Sequence, residues 1–168
     1  MEKCALDASR DAFIRAMRHV ACSVTVVTTD GPAGRHGATV SAFSSVSADP
    51  PTVLVCLRAG SRICEQVEAN GVFTVNVLAE ENRDVARAFT GEFDAARPDR
   101  FEGQQLIEMP GLAAGLGGAT VFACRLAKSV VHGSHTIFFG QVAHAFTAER
   151  PPLTYHDGAY RRLQLTAA

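Results

Sequence analysis

The chain has 168 residues, with 47% hydrophobic and 20% charged side chains and a formal net charge of −1. That length favours one domain with a real core, burying roughly 70% of the surface the unfolded chain exposes, and the composition excludes intrinsic disorder. The even charge balance argues against a dedicated nucleic-acid binder, whose footprint should be basic.

In chain order, Phe13, Ile14, Met17 and the run to Ala21 have helical spacing behind Asp7 or Ser9 as N-cap. Ser23 to Thr29 is β-branched and reads as a strand, turned by Asp30-Gly31-Pro32. Further strands are expected over 37–47, 52–57 and 72–78, with a helix over 61–69 closed by Asn70-Gly71. A second short helix runs from Glu81 to Phe89 and stops at Gly91. Residues 91–118 read as irregular. Strands over 119–127 and 136–146 flank His132-Gly133-Ser134-His135, and Asp157-Gly158 marks a last turn. Strands outnumber helices without alternating with them, which predicts a mainly β fold, a closed or partly open barrel with a few short peripheral helices.

The longest uncharged run of note, Met109 to Cys124, is broken by Pro110 and glycines, so no membrane span is expected. The first residues lead into an amphipathic pattern rather than an apolar signal core, and the five cysteines contain no C-x-x-C pair. Both point to a reduced, cytoplasmic protein. Cys56 and Cys124 are expected in the core, as are Phe73, Phe122, Phe138 and Phe139. Cys64, one helical turn beyond Ser61, is a place where a thiol pKa could be lowered.

Three segments carry candidate chemistry. From Gly37 to Ser47 a period of two puts Ala38, Val40, Ala42 and Val46 on one face and Thr39, Ser41, Phe43, Ser45 and Ser47 on the other. A row of short hydroxyls lets a polar ligand approach the backbone, or simply faces water. In Leu57-Arg58-Ala59-Gly60-Ser61-Arg62, Ser61 caps a helix whose free amides attract phosphate, with Arg62 and Arg58 adding charge. An ordinary cap with solvated arginines is the alternative. His132 and His135 have no acidic or cysteine cluster nearby to complete a metal site, so no metal is expected. They suit either contact with a planar ligand or a plain hairpin turn. Hydrolase elbows, dinucleotide fingerprints and P-loops are absent from the sequence.

The run Gly37-Ala38-Thr39-Val40-Ser41-Ala42-Phe43-Ser44-Ser45-Val46-Ser47, followed by Asp49-Pro50-Pro51 and Val53 to Leu57, resembles the short-chain flavin reductases, the reductase components of two-component flavin-dependent monooxygenases. The likeness continues through Phe73 to Leu78, Ala88-Phe89, Gly133 to Thr136, Gly140 to Val142 and Tyr155 to Leu163. It covers about 10–163 and treats the whole of 1–168 as one domain. It implies an FMN-binding split β-barrel, a homodimer, and reduction of free FMN or FAD by NADH or NADPH for a partner monooxygenase. By position, Thr39, Val40 and Ser41 are expected along the isoalloxazine, and Ser44, Ser45 and Ser47 toward the ribityl chain and phosphate. Ser61 and Arg62 are expected at the phosphate, Phe89 near the flavin, and His135 at the nicotinamide. No essential catalytic acid is assigned. Ser134 stands where many members have Asp, and Arg58 where Asn is common. A flavoprotein that keeps FMN for electron transfer or sensing, and a non-catalytic barrel for another phosphorylated cofactor, are the alternatives.

Overall fold

The computed structural model describes residues 9–164. Ser9 caps α1 (Arg10–Arg18), accepting from the Ala12 amide at 3.3 Å; Asp7, the other candidate cap, lies outside the described residues. The helix ends at His19, two residues short of expectation, and buries none of its side chains. β1 (Cys22–Ser23) and β2 (Thr25–Thr29) replace the single strand expected over 23–29. Then come β3 (His36–Val40), β4 (Phe43–Ala48), β5 (Pro51–Arg58), α2 (Arg62–Asn70) and β6 (Val72–Val77). A 3-10 turn (Glu80–Asn82) leads into α3 (Arg83–Thr90). The segment expected to be irregular holds two short paired strands, β7 (Leu106–Ile107) and β8 (Gly115–Leu116). Last are β9 (Thr120–His132), β10 (His135–Phe146), β11 (Thr154–His156) and β12 (Ala159–Arg161).

The main sheet has seven antiparallel strands in the order β3-β2-β6-β9-β10-β5-β4. β3 and β4 sit at opposite ends of that order, yet only Ser41 and Ala42 separate them in the chain. The sheet must therefore curl until its two edges meet, and β3 does lie against β5. This is the split barrel, reached by a strand that changes partner. The change overturns the single alternating strand expected over 37–47. Alternation breaks at Ser41-Ala42 and again at a bulge between Ser45 and Ser47, so Val46 stands exposed.

Apolar side chains from both sides of the curl fill the interior. Val27, Val55, Phe73 and Phe138 meet Ile63, Cys64 and Val67 of α2. Leu78, Phe101, Leu116 and Val121 meet Ala86 and Phe89 of α3. Burial of this kind contributes about 25 cal/mol per Å2 of apolar surface, the dominant favourable contribution to the fold. Several polar groups inside are paired. Thr28 and Thr74 donate to the Ala114 and Ala113 carbonyls at 2.7 and 2.6 Å, and the Leu116 amide donates to Asn76 Oδ1 at 2.7 Å. Those bonds pin the 91–118 segment onto β2 and β6, a role the strand pattern alone did not reveal.

Of the expected core residues, Phe73, Phe138 and Cys124 are buried, and burial pushes the Cys124 thiol up to about 12. Cys64 is buried in the same core, as a packing residue. Cys56 departs from expectation: on β5 the buried positions are Val53, Val55 and Leu57, so period two turns Cys56 outward. Phe122 is half-buried, its ring 5.7 Å from that of Phe43.

Candidate functional site

The seam where β3 approaches β5 opens into a cavity of about 330 Å3. Thr39, Val40, Ser41 and Ala42 form one wall; Cys56, Leu57 and Arg58 form the facing wall; Ser61, Ile63 and His135 close the end. The partner change supplies its most reactive feature. Ser41 and Ala42 have left the β2 ladder, and their carbonyls accept from the Phe43 and Cys56 amides at 3.1 and 3.0 Å. Their own amides donate to no acceptor among the described residues. Both residues are exposed, so water or an acceptor atom of a ligand in the cavity can pair with these N–H groups.

The far end carries positive charge and unpaired donors. Gly60, at φ +72°, lets the chain turn sharply from β5 into α2. Ser61 does not cap the helix as expected: its hydroxyl turns back to donate to the Arg58 carbonyl at 2.6 Å. The first-turn amides of α2 are thus left without a side-chain cap beside the positive end of the dipole. Arg58 and Arg62, on either side, make no ion pair or hydrogen bond with their guanidinium groups among the described residues. Two unspent guanidinium groups beside an uncapped helix start form a phosphate-ready end.

His135 stands directly opposite Arg58 in the β10–β5 ladder. The Ser134 carbonyl accepts from the Ala59 amide at 3.0 Å, tying the hairpin turn to the Arg58–Ser61 loop. The Ser134 hydroxyl lies 3.0 Å from His135 Nδ1, so the imidazole is held through that nitrogen and Nε2 stays available.

Five residues expected at the site, Thr39, Val40, Ser41, Ser61 and His135, therefore share one cavity. The others lie elsewhere. Ser44, Ser45 and Ser47 are exposed on β4; Ser44 donates to the Ser45 carbonyl, and Ser47 both donates to and accepts from the backbone of Asp49. Arg62 lines a neighbouring cavity with Arg35, His36 and Arg100. Phe89 is fully buried behind β3, where a Cβ on Gly37 would come within 2.5 Å of its ring. Thr39 also looks backward: its hydroxyl donates to the Ala86 carbonyl at 2.6 Å, so α3 braces β3 from behind.

Sequence reasoning missed Cys56, Ile63 and the Ala42 amide, together with Arg35, His36 and Arg100. His36 is held down at about 4, first by burial and then by the positive charges of Arg100 and Arg62. It is a neutral hydrogen-bonding group at neutral pH, not a further cation. Only the parity of β5 could have found Cys56, and no local signal links Arg35 to Arg100.

The fold is a split antiparallel barrel with a concave cavity at its seam, lined by free backbone amides at one end and unpaired arginines at the other, a place suited to a small ligand. The particular family follows from sequence: the chain belongs to the flavin reductase like domain family, whose description matches residues 17–164. It is 40% identical over 135 residues to an FMN reductase (NADH) RutF of Ancylobacter novellus, covering 80% of this chain and 74% of that one. It is 33% identical over 161 residues to a 4-hydroxyphenylacetate 3-monooxygenase reductase component of Pseudomonas aeruginosa, covering 95% of each. Among solved structures it is similar to the Streptomyces globisporus NADH:FAD oxidoreductase SgcE6 in complex with NAD and FAD fragments, at TM-score 0.85 and 29% identity, covering 95% of this chain and 96% of that one.

Proposed function

We propose that the chain is an NAD(P)H-dependent flavin reductase that binds FMN or FAD at the barrel seam and passes reduced flavin to a separate monooxygenase component. Family membership supports the reaction class. The observation that carries the placement is the pair of unspent Ser41 and Ala42 amides at one end of a cavity whose other end holds Arg58 and the uncapped α2. Donors at both ends of one cavity suit a ligand with a polar ring system and a phosphate.

Bound flavin supplies the hydride acceptor and reduced nicotinamide the donor. The protein's work is placement. Ser41 and Ala42 hold the polar edge of the ring through backbone amides, and Thr39, braced by α3, keeps that wall in position. Val40, Leu57 and Ile63 exclude water from the ring face. His135 Nε2 orients the nicotinamide carboxamide, its ring held by Ser134. By holding the two cofactors in register these residues would supply the rate through orientation, and none of them is required as a proton donor or acceptor. Whichever flavin binds, catalytic amounts of protein are expected to speed the loss of reduced nicotinamide's near-ultraviolet absorbance when flavin is added. No turnover with either FMN or FAD, over a yellow protein that keeps its colour on dilution, would instead identify an FMN-retaining electron carrier.

The whole chain acts in this reading as one domain, as a homodimer, in the cytoplasm. Phe13, Ile14, Met17 and Val20 form an exposed apolar face on and just beyond α1, next to a groove of about 390 Å3 that also touches Ser41. A symmetric second copy would cover it beside the flavin cavity. Sedimentation equilibrium is expected to return about twice the 17.8 kDa chain mass; the single-chain mass with flavin affinity intact counts against the dimer. The four described cysteines are free, which suits a reducing compartment. No helix among the described residues is long and apolar enough to cross a membrane.

A further inference from the structure

His135 lines the seam cavity, and Ser134 beside it does not. Gly133, at φ +58°, and Ser134 make the whole of the turn between β9 and β10, since His132 pairs directly with His135. The Ser134 backbone is fixed from outside the hairpin, its carbonyl accepting from the Ala59 amide at 3.0 Å. Ser134 therefore reaches the site only through His135, whose Nδ1 lies 3.0 Å from its hydroxyl.

The direction of that hydrogen bond decides what His135 shows a ligand. A hydroxyl carries one proton, and Nδ1 is its only acceptor among the described residues. Donation needs a bare Nδ1, which leaves the proton of the neutral ring on Nε2. The neighbours across the ladder bring no carboxylate to reverse this. Arg58 on β5 and His132 on β9 flank His135, and neither makes an ion pair among the described residues. An ionised aspartate in place of Ser134 could only accept; it would draw the proton to Nδ1 and leave the neutral ring a lone pair at Nε2.

We propose that Ser134 is a positioning residue: by donating to Nδ1 it commits His135 to a proton on Nε2, so that the site reads the carbonyl oxygen of the nicotinamide carboxamide and not its amino group. The proposal rests on the flavin reductase reading above and deepens it.

Imidazole nitrogen shifts test it first, read by NMR on the protein without flavin and assigned by their loss in His135→Gln. Wild type is expected to carry the His135 proton on Nε2, and Ser134→Asp to carry it on Nδ1 once the ring is neutral. Kinetics then compare NADH with reduced acetylpyridine adenine dinucleotide, which keeps the carbonyl and lacks the amino group. Wild type should give the two a similar KM, flat from about pH 6 to 9, because neutral and charged His135 both donate from Nε2. Ser134→Ala should raise both KM values about threefold or more with kcat little changed, and Ser134→Thr should restore them. In Ser134→Asp the KM of the analogue should climb with pH as Nε2 turns acceptor, while that of NADH, whose amino group can donate, rises less. His132 and Arg58 are common to all these proteins, so their own titration cancels in the comparison. A wild-type proton on Nδ1, or an analogue KM about tenfold or more above that of NADH in wild type, overturns the proposal. So does a Ser134→Ala loss that falls equally on flavin affinity and that Ser134→Thr does not repair, which would make Ser134 a turn residue only. Wild type that oxidises neither nicotinamide with either flavin is a failure of the flavin reading itself, and the nitrogen shifts, taken without flavin, still decide the state of His135.

Discussion

Phe89→Ala is expected to lower folding stability by about 3–5 kcal/mol, the usual cost of emptying a buried phenylalanine site. The ring is fully buried, meets Phe101 edge-on with centroids 5.1 Å apart, and lies against the bare Cα of Gly37. Removing it leaves a void between α3 and β3, where collapse is resisted by the Thr39–Ala86 hydrogen bond and by Arg100, which spans the Gly37 and Phe89 carbonyls. Urea unfolding followed by far-ultraviolet circular dichroism gives the number. Flavin affinity should fall too, but only through the wall that β3 forms, so Phe89→Leu should restore most of both. A variant of nearly native stability that loses flavin affinity outright would show instead that the ring touches the ligand.

Arg62→Ala is expected to weaken FMN by about 1.5–3 kcal/mol, roughly ten- to a hundredfold, by removing a charge-assisted hydrogen bond to phosphate. Riboflavin, which has no phosphate, should bind the variant as it binds wild type. The guanidinium makes no hydrogen bond or ion pair among the described residues, so stability should scarcely move on its loss. Titration calorimetry with both flavins settles the matter. Equal losses for FMN and riboflavin would mean that Arg62 shapes the cavity without meeting phosphate.

Much of the fold was legible because its cause was local. Apolar spacing and Asn70-Gly71 marked α2 and its end, and the left-handed Gly71 stands where expected. The β-branched run before Asp30 marked β2. What escaped was what partners decide. Nothing in Gly37 to Ser47 tells that the first half bonds to β2 and the second to β5, since both halves have strand-like residues. The hairpin arms of β9 and β10 run on through Lys128 to His132, where polarity hid a ladder held by backbone bonds. Around the cavity, Ser41, Ser61 and His135 are recognisable from local motifs, whereas the burial of Phe89 and the turn of Cys56 toward the cavity depend on how the layers assemble. The Arg35–Arg100 grouping joins residues far apart in the chain, and only the packing of α3 on β3 brings them together.

The two-residue passage through Ser41 and Ala42 has a consequence for turnover. β3 has no second strand partner among the described residues, so the barrel is fastened at its seam by a crossing of the chain and not by a ladder. A flavin bound there, as proposed above, would act as the missing stitch. Mass action would then stabilise the closed form by about 2.7 kcal/mol at free ligand a hundredfold above Kd. The same stitch must be undone each time product departs. A continuous ladder from β3 to β5 would weld the barrel shut and leave no amides to offer; an open seam sacrifices rigidity so that a borrowed ring can come and go.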